Sequence, residues 1–219
     1  MKSKLSEKDL AQDKSTRDRL LKAASKLFAK KGFDRVSVRE IAGASGSNLC
    51  LVSYYFGGKE KLYQKIFENF FERMARHLDQ SQAQHADSDK PMSKHEFSEE
   101  LRRNIRFILD EFVSEPEVKV MMHREVMDGF PRTQKLFDQH LVKVKAGMMG
   151  LYQRAQKAGH IRPEIHVPTF SVLLNRSIEA YLVSYMFAKP IQEVAINPSK
   201  EPDRFIEQIE EVFLKGVLT

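Results

Sequence analysis

The chain has 219 residues, 42% hydrophobic and 30% charged, enough for one large or two modest cores. Its single cysteine, Cys50, excludes an intramolecular disulfide, and the lack of an apolar leader or an 18-residue apolar run sets the expectation of a cytoplasmic protein with no membrane partner. The formal charge of +6 is unevenly placed, because residues 1–61 hold 14 Lys and Arg against 7 Asp and Glu while the remainder holds 22 against 23. A basic first quarter points to a polyanionic partner.

Residues 1–14 read as a polar arm. A helix is expected from about Thr16 to Lys31, with Leu20, Ala24, Leu27 and Phe28 on one stripe, Ser15 or Thr16 as its cap and Gly32 as its stop. Ser37 then opens a short helix. Glu40, three residues on, can return a bond to the Ser37 N–H in a capping box, and Val36 and Ile41 have the spacing of a hydrophobic staple. Gly46 supplies a left-handed stop, Asn48 caps a second helix from about Leu49 to Phe56, and Gly57-Gly58 closes it. Helix, tight turn and helix inside the basic segment have the punctuation of a DNA reader.

At 100° per residue, Val52 and Phe56 share one face of the second helix, while Cys50, Ser53 and Tyr54 point away and Leu51 lies to one side. The outward face carries no charge, unlike an ordinary solvated helix, and suits a major groove where Leu or Cys meets thymine methyls and tyrosine reaches phosphates or base edges. Lys59 opens the next helix against the macrodipole, beside a Gly-Gly that admits close backbone approach, and reads as a phosphate seat.

That third helix continues to about Gln80, with Leu62, Ile66, Phe67, Phe70, Phe71 and Met74 on a broad apolar arc, and residues 81–95 read as a loop. Further helices are expected near 96–114, 117–127, 132–158, 167–188 and 202–217. The fold class is therefore all-α, with a reader at 15–61 and a larger helical body at 62–219.

Residues 15–63 carry LFAKKGF, SVREIA, SGSNLCLVSYYF and GGKEKLY, and in this they resemble the N-terminal domain of the TetR family of bacterial transcriptional regulators. Two positions depart from the family pattern: Ser47 stands where a buried Val is usual, and Tyr55 where a His is usual. The resemblance implies backbone contacts from Ser37, Tyr54, Tyr55 and Lys59, base-edge contacts from Leu49, Cys50, Leu51 and Ser53, and a further contact from Arg39. With no Arg, Lys or Gln on the reading face, thymine methyls and DNA shape should carry much of the discrimination.

The resemblance also implies a ligand-binding and dimerisation body. Candidate pocket residues are Met121, Met122, His123, Met127, Phe130, Met148, Tyr152, Asn175, Glu179, Tyr181 and Tyr185, a soft apolar and aromatic set with a few polar groups suited to a small apolar ligand. The same spacing also describes plain core. Phe170, Leu174, Ile178, Phe205, Ile209, Val212 and Phe213 are candidates for a homodimer interface built as a four-helix bundle. No phosphate-binding Gly loop, nucleophile elbow or i, i+4 histidine pair is present, so no enzyme, cofactor or metal is expected, although His123, His140 and Glu125 could converge on a divalent ion. The expected function is a repressor on a palindromic operator, released by an inducer and associated with the nucleoid when bound. A DNA-binding organiser or protein-regulated factor without a small ligand is the alternative.

Overall fold

The computed structural model describes residues 7–83 and 91–215, with side chains placed for 13–80, 91–140 and 146–215. The helices in chain order are α1 (Glu7–Lys31), α2 (Val38–Ser45), α3 (Cys50–Phe56), α4 (Lys59–Ala83), α5 (Lys94–Ser114), α6 (Pro116–Met127), α7 (Gln134–Lys157), α8 (Val167–Phe187), α9 (Lys189–Val194) and α10 (Pro202–Phe213). Among the described residues there is no β-strand, and no helix is long and apolar enough to cross a membrane.

Two compact units form. One comprises the chain up to Phe71 together with Glu117–Asp138, and the other Glu72–Pro116 together with the chain from Gln139 onward. The first turns of α4 and all but the first residue of α6 pack in the same unit as α1, α2 and α3. Leu20, Ala24 and Phe28 of α1, Ile41 of α2, Val52 of α3, and Leu62 and Phe67 of α4 are essentially solvent-free. Tyr63 stands edge-on to Phe28, Phe33 and Phe67 at 5.0–5.1 Å. From the same unit, buried Glu125 accepts from the Tyr63 hydroxyl at 2.9 Å and the Thr133 hydroxyl at 2.7 Å, and Arg124 Nη1 donates to the Phe28 carbonyl at 2.9 Å. A buried carboxylate held by two hydroxyls satisfies its polar demand without opening the core to water.

The second unit buries Phe97, Leu101, Ile105, Leu109, Leu151, Tyr152, Phe170, Leu174, Ile178, Leu182, Phe205 and Ile206. Arg154 pairs with buried Glu100 at 2.9 Å, and Arg102 and Arg106 of α5 bind Glu210 and Asp203 of α10.

Several expectations are corrected. The arm expected at 1–14 is helical from Glu7 onward, since nothing between Glu7 and Lys31 is Gly or Pro and acids open the segment; residues 1–6 lie outside the described residues. Within the loop expected at 81–95, α4 continues to Ala83, 84–90 lie outside the described residues, and α5 starts at Lys94 because Ser93 and Glu96 form a second capping box. A short helix not among those expected, α9, starts at Lys189 with Pro190 in its first turn.

The dimer candidates Phe170, Leu174, Ile178 and Phe205 are buried inside the protomer. An i, i+4 ladder identifies an apolar face without saying what covers it. Val212 remains 69% exposed.

The candidate pocket residues are divided between the two units. Met121, Met122 and the partly buried Phe130 lie in the first unit, His123 is exposed there, and Met127 is 73% exposed. In the second unit, Glu179 pairs with Arg176 at 2.6 Å, the Tyr181 hydroxyl donates to the Ile196 carbonyl at 2.8 Å, and Tyr185 stacks on Tyr181. Met148 packs on the core, where Tyr152 is buried with Asn175 as its hydrogen-bond neighbour. Burial raises the Tyr152 phenol well above its usual range, and the Asn175 bond works against that rise.

Candidate nucleic-acid interface

The turn between α2 and α3 is built by short-range bonds. The Ser37 hydroxyl accepts from the Glu40 N–H at 3.2 Å, and the Glu40 carboxylate accepts from the Ser37 N–H at 2.8 Å, completing the capping box. Lys31 adds its ammonium to Glu40 at 2.6 Å. Hydrogen bonds from Lys31 and then from the Ser37 N–H and hydroxyl hold the Glu40 carboxyl down at about 2. Val36 and Ile41 are both buried, as a staple requires.

Gly46 ends α2 at φ 62°, and the Ser47 N–H closes on the Ala42 carbonyl at 2.9 Å. The Ser47 hydroxyl bonds locally, to the Ser45 carbonyl at 3.5 Å. Asn48 Oδ1 accepts from the Cys50 N–H at 3.0 Å, and Leu49 already has helical backbone angles, so the reading helix begins on an Asn cap. Val52 and Phe56 are buried beneath it.

The outer face of α3 is open. Tyr54 is 77% exposed and Leu49 44% exposed, Cys50 and Ser53 are exposed, and Leu51 is half-buried at the margin. No charged side chain occurs from Cys50 to Phe56. Ser37, the N-cap of α2, and Arg39 in its first turn are also exposed.

Two expected contacts have partners within the chain. The Tyr55 hydroxyl donates to Asp13 Oδ1 of α1 at 2.5 Å, and the bond to this carboxylate raises the phenol above its usual range. Lys59 Nζ donates to the carbonyls of Phe33 and Val36 at 3.1 and 2.9 Å and lies 4.2 Å from the Phe33 ring. Lys59 is thus a staple on the loop between α1 and α2, its ammonium solvated by two carbonyls and an aromatic face. Arg132 covers Phe33 at 4.3 Å and pairs with Asp34 at 2.8 Å. Sequence reasoning missed Asp13, whose only signal is that it lies seven residues before Leu20 on the α1 stripe.

Among the described residues no three His, Cys, Asp or Glu side chains come together as a metal site, and Glu125 is held by Tyr63 and Thr133.

Residues 20–66 match the family model described as bacterial regulatory proteins, tetR family. Among curated relatives, the chain is 28% identical over 147 residues to the HTH-type transcriptional repressor NicS of Pseudomonas putida, a match covering 67% of this chain and 64% of NicS. It therefore spans just under two thirds of that relative's length. It is 25% identical over 198 residues to the probable HTH-type transcriptional regulator YttP of Bacillus subtilis, covering 90% of each. The fold is similar to that of the fatty acid degradation regulator FadR of Bacillus halodurans, with a TM-score of 0.69 and 14% identity over 92% of this chain and 95% of FadR.

Proposed function

We infer that this chain, which belongs to the TetR family of DNA-binding transcriptional regulators, represses transcription as a homodimer on a palindromic operator and is released by a small apolar inducer. The observation that carries this reading is the exposed, uncharged outer face of α3, set on a rigid helix-turn-helix within the basic first quarter of the chain. A solvated surface helix normally carries charge on such a face. Cys50, Leu49 and Leu51 offer apolar contacts to thymine methyls, Ser53 and Tyr54 offer hydroxyls to base edges and phosphates, and Arg39 is the one strong guanine reader nearby. The similar protein NicS is a transcriptional repressor, which supports the direction of regulation.

The dimer interface is proposed on the outer faces of α8 and α10, opposite the buried ladder. Leu173 is 57% exposed, and exposed Ser177, Ala180 and Ser184 follow it at helical spacing, with Val212 on α10. Small residues among apolar ones let two helices approach closely, and a two-fold axis through them makes the contact self-complementary. Two readers so related would meet successive major grooves roughly 34–36 Å apart, or a multiple of that.

The inducer is proposed to act in the second unit near Tyr152 and Asn175, a polar pair inside an apolar core that includes Leu151, Phe170 and Leu174. An apolar guest with one polar group would find both kinds of partner there. It must prefer one spacing of the two readers to shift the equilibrium.

Selection from a pool of random duplexes tests the reading. A palindrome with half-sites one turn or more apart, lacking invariant guanines opposite α3, is the expected result. Retention that depends steeply on salt but enriches no sequence would favour the organiser without a ligand.

A further inference from the structure

α1 begins at Glu7 and so extends well before the stripe that supports the reader. This extension carries Asp13 and Arg17, one helical turn apart, over the C-terminal half of α3. Arg17 lies 5.7 Å from the Phe56 ring, and Asp13 Oδ1 accepts from the Tyr55 hydroxyl at 2.5 Å. The Tyr55 ring in turn stands edge-on to Tyr54 at 5.0 Å. A chain of contacts therefore runs from a carboxylate on α1, through a phenol, to the exposed ring on the reading face.

A phenol has one proton to donate. While Tyr55 gives it to Asp13, it cannot give it to a phosphate. A carboxylate beside a DNA-facing helix should by itself repel the backbone, so its placement there calls for a compensating gain. The geometry offers one: a charge-assisted bond that fixes the Tyr55 ring, against which Tyr54 rests. We propose that Asp13 is a positioning residue for DNA recognition, holding Tyr55 as a fixed buttress so that Tyr54 is the tyrosine whose hydroxyl contacts the operator.

This inference rests on the operator-binding reading above, and two substitutions at Asp13 separate position from charge. Asp13→Asn keeps an oxygen that can accept from Tyr55, whereas Asp13→Ala does not, and both remove the negative charge. On a palindrome selected by the unmodified protein, Asp13→Ala should weaken binding of the dimer roughly 5- to 100-fold, the worth of one hydrogen bond in each protomer, while Asp13→Asn stays within about twofold of the parent. In a Tyr55→Phe background, Asp13→Ala should cost nothing more, because the bond is already gone.

Tighter binding by both Asp13 variants would mean that the carboxylate only repels DNA, and would overturn the inference. So would equal, additive losses from Asp13→Ala and Tyr55→Phe, which would assign Tyr55 a phosphate of its own. If the unmodified protein selects no palindrome, the operator reading itself fails and takes this inference with it. If it selects one and the Asp13 variants bind like the parent, only the role of Asp13 falls.

Discussion

Replacing Lys59 with methionine separates two roles that a single lysine at a helix start could play. Methionine keeps most of the apolar stem and removes the ammonium. The loss leaves the carbonyls of Phe33 and Val36 without their Nζ donor and strips one cation from the Phe33 face. Hydrogen bonds from a charged donor contribute about 1.5–3 kcal/mol each, and a cation over an aromatic face about 0.5–1 kcal/mol at exposed sites. These terms share one partly buried group, and water can reclaim part of the carbonyl demand, so a net loss of about 2 kcal/mol is expected. Urea unfolding should show the midpoint falling with the slope unchanged, since the surface exposed on unfolding is the same. Operator affinity measured across salt concentrations supplies the second half of the test. A residue committed to the loop should leave the salt dependence nearly intact, whereas loss of one phosphate contact from each protomer of the dimer should reduce the slope by about 1.8. An unchanged midpoint together with a slope reduced by that amount would refute the staple and restore the phosphate seat.

Other consequences follow from the same geometry. Tyr54→Ala removes the most exposed aromatic ring of the reading face and should weaken operator binding about 10- to 100-fold without changing the unfolding midpoint, as a fluorescence titration would show. Tyr63→Phe keeps the ring contacts to Phe28, Phe33 and Phe67 but removes one of the two hydroxyls that hold buried Glu125, so chemical unfolding should report a loss of about 1.5–3 kcal/mol. Glu40 has a lowered carboxyl pKa, so its contribution to the α2 cap is complete above its unfolded value of 4.5 and is lost as pH falls through about 2; a carbon-detected titration of Glu40 with a midpoint near 4.5 would contradict this. Leu173→Glu places a charge on the proposed dimer face and should shift sedimentation toward the protomer, and an undiminished dimer would move the interface elsewhere.

What could be read in advance from the residues divides along the range of the interactions. The Ser37–Glu40 box, the Val36–Ile41 staple, the Asn48 cap and the left-handed Gly46 are local, each set by residues two to five apart, and all appear where the spacing places them. The partners of Tyr55 and Lys59 are not local. Asp13 lies 42 residues from Tyr55, and Phe33 lies 26 from Lys59, so no periodicity within one helix could name them. α8 fails for a different reason. It is apolar on more than one side, and its buried ladder Phe170, Leu174, Ile178 and Leu182 has the same spacing as an interface stripe. The short helix α9 falls between the expected helices 167–188 and 202–217, and Pro190 in its first turn fits the start of a helix as well as the end of the one before. The methionine-rich segment was ambiguous because buried Met121 and Met122 serve the first unit's core while Met127 faces solvent, a split decided by tertiary packing and not by composition.

Whether the outer face of α3 lies against DNA can be measured on the unmodified chain, because Cys50 is its single cysteine and is exposed on that face. The rate of Cys50 alkylation by a maleimide is compared for the free protein, for the protein saturated with its selected duplex, and for the protein with an unrelated duplex at the same salt. With α3 in the groove, the selected duplex should slow the reaction in proportion to its occupancy while the unrelated duplex does not. Equal rates in the free and fully bound states would place α3 away from the DNA and contradict the proposed function.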